Sequence, residues 1–148
     1  MIDFFSIEQK IETIGINPNT VYVFKNSEHS DNAPEHYHIS IPISDTNSLL
    51  LVLTTSQVSK KKQHYRLREQ LLRGLIEFDI GDLNFITKKC LIDCNNPLFK
   101  TKEELKNIIL NEEIKFIDEV ISPELVQKIK DKIKNSPLVK PNIKKLVI

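Results

Sequence analysis

The chain has 148 residues, 40% hydrophobic and 28% charged, with a net charge of +1. That suits one domain around one core, and near-neutrality excludes a global field that would draw the whole molecule onto nucleic acid or a membrane. No run approaches the roughly 20 apolar residues of a membrane-spanning helix, and the opening MIDFFSIEQK has an acid at its third position and no long apolar stretch, unlike a secretory leader. With Cys90 and Cys94 its two cysteines, the expected compartment is a reducing cytoplasm.

In chain order, residues 2–14 place Ile2, Phe5, Ile7, Ile11 and Ile14 near helical spacing, with Gly15 as a stop. This predicts an N-terminal helical extension over residues 1–16. NPN at 17–19 is a turn, and TVYVFK at 20–25 is β-branched and aromatic, hence a strand. A polar loop of about ten residues follows at 26–35, longer than the usual hairpin connection. HYHISIPI at 36–43 alternates: Tyr37, Ile39, Ile41 and Ile43 share one face, and His36, His38 and Ser40 share the other, which is expected to be exposed. Pro42 argues for an edge position or a bulge near that strand's end. LLLVLTT at 49–55 is apolar on both faces and predicts a central, doubly buried strand.

Beyond it, Leu67, Leu71 and Leu72 suggest a short helix ended by Gly74, followed by strands at 75–79 and 84–94. Thr101 with Glu104 forms a capping box for a helix. Residues 114–120 read as helix or last strand. Ser122, Pro123 and the spacing Leu125, Ile129, Ile133 define an amphipathic helix to about residue 136. The tail 137–148 ends in Leu146, Val147 and Ile148, which are expected to dock. Five strands over 20–95, short connections and late helices read as α+β, most simply a small antiparallel curled barrel with helices packed on it.

Charge is uneven along the chain. Residues 59–73 carry Lys60, Lys61, Lys62, Arg66, Arg68 and Arg73 against Glu69, and residues 128–148 carry seven lysines against Asp131. Local basic patches suit RNA contact, and they equally suit solvated helix faces. Paired histidines on an exposed face can serve as acid and base near neutral pH; they are also ordinary surface residues. Thr55 and Ser56 at a strand tip can cradle a phosphate with hydroxyls and backbone N–H groups, or can simply end the strand by turning the chain. Cys90 and Cys94, four apart and without a second cysteine pair, are better read as small buried hydrophobes than as zinc ligands.

Strand TVYVF, the polar loop, HYHISIPI, the apolar strand ending in TTSQ, the basic linker, GDLNFITKKCLIDC and SPELVQKI together resemble the PemK/MazF-like toxins of type II toxin–antitoxin modules, over roughly residues 20–136. The resemblance implies an SH3-like barrel with appended helices and metal-independent cleavage of single-stranded RNA without a cofactor. In it, the 2′-hydroxyl attacks the adjacent phosphate to leave a cyclic phosphate and a 5′-hydroxyl. It assigns phosphate binding to Thr55 and Ser56, and acid or base duty to His36 or His38. Strand tracking falls to Lys25, Gln57, Lys60, Lys61, Lys62, Arg66 and Arg68. It also implies a homodimer and an antitoxin competing with RNA for one groove. Active members carry an arginine near the first hairpin; here the first arginine is Arg66, and Lys25 ends the first strand. Loss of catalysis would leave a barrel module that binds RNA or a protein.

Overall fold

A computed structural model describes residues 20–24, 36–44, 48–84, 86–111 and 115–148. The expected N-terminal helix, the long polar loop and Lys25 lie outside the described residues.

The chain is α+β. Its strands are β1 (Thr20–Phe24), β2 (His36–Ile41), β3 (Ser48–Thr55), β4 (Leu75–Phe78), β5 (Cys90–Asp93), β6 (Leu98–Thr101) and β7 (Lys115–Val120). Its helices are α1 (Val58–His64), α2 (Glu69–Leu72), α3 (Lys102–Asn111), α4 (Pro123–Asn135) and α5 (Pro141–Lys144). All pairings are antiparallel, in the order β4-β5-β3-β2-β1-β7, with β6 also on β3. No ladder joins β4 to β7 among the described residues, so the sheet is open where a closed barrel was expected.

β3 is central, as its apolar run predicts. It holds β2 along one side and β6 then β5 along the other, and Leu49 to Val52 are all buried. Cross-strand pairing places Ile39 opposite Val52 and Ile41 opposite Leu50. This row faces the apolar stripe of α4, where Ile129 and Ile133 are wholly buried. Each such side chain contributes about 1.5–3 kcal/mol relative to exposure.

Local signals of helix ends operate as read. Ser122 Oγ accepts the Leu125 N–H at 3.2 Å ahead of Pro123. The Thr101 hydroxyl and the Glu104 carboxylate exchange reciprocal backbone bonds, each 3.1 Å. That bond, from the Thr101 backbone above all, holds the Glu104 carboxyl below its ordinary range.

Other elements differ from the sequence expectation. The helix expected around Leu67 is two short helices with a turn between them, and Leu67 stands 87% exposed on that turn while Leu71 is buried. Of the strand expected over 84–94, Cys90–Asp93 forms β5. Residues 98–100, to which the sequence reading assigns no element, join Thr101 as β6 against the first half of β3. Residues 115–120 form β7 on β1. In the tail, Val147 is 5% exposed and bridges Ile43, while Ile148 projects into solvent.

Candidate nucleic-acid interface

His36 begins β2, paired with Phe24, and His38 follows two positions on, paired with Tyr22 and Leu53. The sequence predicts an exposed face here, but His38 has no solvent exposure and Ser40 only 2%. Alternation correctly separates the histidine row from the α4-facing core. It carries no information on whether the second face is also covered, and this one is: Leu49 and Leu51 of the same face are buried too. A wholly buried imidazole exchanges no proton with a nucleotide in this conformation.

Thr55 occupies the same face as Leu53, two positions further along β3. It is therefore a diagonal neighbour of His38, and such neighbours stand about 7–8 Å apart. Its hydroxyl accepts the Gln57 N–H at 3.2 Å, the bond by which a threonine turns a chain out of a strand. Ser56 and Gln57 are exposed beyond it. Gln57 also begins α1 through its carbonyl, which accepts the Lys61 N–H at 3.1 Å.

The basic stretch divides by role. Lys61 Nζ lies 3.3 Å from Asp93 and Lys62 Nζ 2.7 Å from Glu77, tying α1 across β5 and β4. Both lysines sit in the last turn of α1, where positive charge also complements the helix dipole. Lys60, Arg66 and Arg68 are exposed and form no ion pair among the described residues.

Beneath this stretch runs a buried polar network that sequence reading missed. The Asp93 carboxylate accepts the Tyr65 hydroxyl at 2.8 Å and, on its other oxygen, the Asn95 backbone and amide N–H groups, each at 3.0 Å. Asn95 also donates to the Leu71 carbonyl at 2.7 Å and accepts the Ser136 hydroxyl at 2.7 Å. Burial, reinforced by the bond to Asp93, raises the Tyr65 phenol above its ordinary value. The sequence signal was a set of polar residues, Asp93, Asn95 and Asn96, closing an apolar strand.

The network anchors a hollow of about 800 Å³ between α2, α4 and α5. Arg73 from the first basic stretch and Lys128, Lys132 and Lys144 from the second line it. Lys132 Nζ donates to the Arg73 carbonyl. Cys90 and Cys94 lie in the core. Burial pushes the Cys94 thiol up to about 12, with Asp93 adding to the rise and Lys132 and Lys128 opposing it, and pushes Cys90 up to about 11.

No protein-family model and no curated protein matches this chain. Among the described residues, no helix is long and apolar enough to cross a membrane.

Proposed function

We propose that the chain is a single-stranded RNA-binding module that holds the strand without cutting it. One observation carries this reading: Lys60, Arg66 and Arg68 stand exposed along α1 and the turn into α2 with no ion pair among the described residues, while their neighbours Lys61 and Lys62 are bound to Asp93 and Glu77. Lys61 and Lys62 brace α1 on the sheet, which leaves Lys60, Arg66 and Arg68 open to an external anion. Exposed cations along one short stretch suit a phosphate backbone, and guanidinium groups add stacking on bases. The finer likeness, an SH3-like curl of the PemK/MazF kind with a homodimer and an antitoxin-like partner in the cytoplasm, belongs to this proposal. The buried, unpaired thiols of Cys90 and Cys94 fit a reducing compartment.

Cleavage is the second reading, and it rests on the shared sheet face of His38 and Thr55. Against it stand the burial of His38 and the engagement of the Thr55 hydroxyl in a turn. Fluorescence anisotropy with a labelled single-stranded RNA tests binding, and a denaturing gel of the same mixture tests cleavage. We expect binding to the wild type, weakened by the triple change Lys60→Gln, Arg66→Gln, Arg68→Gln, with the RNA intact. Equal affinity of the triple variant would refute the binding face, and cut RNA with a 2′,3′-cyclic end would favour the second reading.

A further inference from the structure

We propose that the hollow between α2, α4 and α5 is a binding site for a terminal phosphate, the dianionic phosphomonoester end of a nucleotide or of an RNA strand. This goes beyond the RNA-binding face on α1, which needs no terminal group. Four cations from three places in the chain converge here: Arg73 after α2, Lys128 and Lys132 on α4, and Lys144 on α5. Among the described residues, Asp131 is the one carboxylate in the lining, and its Oδ1 already accepts the Gln127 amide at 2.9 Å. Lys128, Lys132 and Lys144 make no ion pair among the described residues.

Folding accounts for Lys132, whose ammonium binds the Arg73 carbonyl from the last turn of α4, but not for the like charge beside it. Lys128 and Lys132 stand four residues apart on one helix face, a spacing at which like charges repel. The arrangement is natural where an anion completes the charge. The excess exceeds one unit, which favours the dianionic end group over a carboxylate or a singly charged phosphodiester. The Arg73 guanidinium pairs at 3.0 Å with Glu69, and both side chains are highly exposed (71% and 79%). Such a pair exchanges readily for a stronger partner, and the guanidinium fork matches two phosphate oxygens. The amides of Gln70 and Asn135 also line the hollow and supply neutral donors. Its volume lies within the range of about 300–1,000 Å³ typical of small-molecule sites. The neighbouring Ser136–Asn95–Asp93 chain of hydrogen bonds holds the walls together without the ligand.

The test uses the full chain at fixed ionic strength. One arm titrates AMP, a free phosphomonoester, by calorimetry. The other compares a 5′-phosphorylated RNA decamer with its 5′-hydroxyl twin by anisotropy. Lys128→Gln with Lys144→Gln removes two exposed or half-buried ammonium groups, and an unchanged thermal midpoint verifies folding. We expect at least one arm to show binding that this double variant weakens tenfold or more. Tight AMP binding identifies a free nucleotide; a tenfold preference for the phosphorylated decamer identifies the strand end. Absence of both, or equal affinity of the double variant in both arms, overturns the site. The Lys60, Arg66, Arg68 triple variant should retain the AMP signal, so failure of the RNA-binding face is separable from failure of the hollow.

Discussion

The Tyr65 hydroxyl donates to Asp93 at 2.8 Å, and both residues are buried. With the Lys61–Asp93 pair, this bond ties the end of α1 and the turn that carries Arg66, Leu67 and Arg68 to β5. Tyr65→Phe keeps the ring and removes the donor. A hydrogen bond to a charged group is worth about 1.5–3 kcal/mol, so urea denaturation should show a loss of that order. A loss below 0.5 kcal/mol on that scale would mean that Lys61 and Asn95 satisfy the carboxylate alone.

Gly74 is required by space. A Cβ there would meet the Asn95 side chain at 2.3–2.6 Å. Asn95 is 3% exposed and held by Leu71, Asp93 and Ser136, so it has no free rotamer to retreat into. Gly74→Ala should cost about 1–3 kcal/mol, the usual range for overpacking. In combination with Asn95→Ala the clash disappears, so the double variant should lose less than the sum of the two single variants. Strict additivity would contradict this contact as the cause.

These two relationships join residues 20 or more positions apart and were not legible in the sequence; the local signals were. The caps at Ser122 and Thr101 are local, written in four consecutive residues, and they form as read. The doubly buried β3 announces itself by an unbroken apolar run. β6 has only four residues, Leu98–Thr101, and becomes a strand because β3 offers it an edge. Leu67 has helical spacing with Leu71, but the chain turns between α1 and α2 and leaves it in water. Burial of His38 depends on cover for the second sheet face, a long-range property that alternation along β2 does not encode. Both basic stretches are visible in the sequence, whereas their meeting at Arg73 and Lys132 is a property of the fold.

The thiols set an alkaline limit. Burial raises Cys94 from 9.0 to about 12 and Cys90 from 9.0 to about 11. The folded chain keeps both protons where the unfolded chain has lost them. Their contribution is therefore constant below pH 9 and falls as pH rises from about 9 through 11–12; the raised Tyr65 phenol acts in the same direction above pH 10.0. Stability measured from pH 7 to 11 should decline, and Cys90→Ala with Cys94→Ala should flatten the decline. The native thiols should also resist Ellman's reagent at pH 8 until the protein is unfolded. Rapid labelling of the folded protein would contradict their burial.

His38 separates structure from chemistry. Because it is wholly buried, His38→Ala should destabilise by roughly 2–4 kcal/mol, as large-to-small core substitutions do. Affinity for single-stranded RNA at 10 °C, where the variant stays folded, should remain within twofold of wild type. A tenfold loss of affinity with circular dichroism unchanged would place the imidazole at the interface instead.

The salt dependence of binding distinguishes cations that meet phosphates from those that brace helices. Each phosphate neutralised on a single strand contributes about 0.7 to the slope of log affinity against log salt. Removing Lys60, Arg66 and Arg68 together should therefore flatten that slope by about 2 if each meets one phosphate. Lys62 is held 2.7 Å from Glu77, so Lys62→Gln should leave the slope unchanged. It should lower stability by less than about 1 kcal/mol, as is usual for an exposed pair. A flattening by Lys62→Gln equal to one third of the triple effect would show that the bridge opens on binding and that α1 presents its whole basic face to the strand.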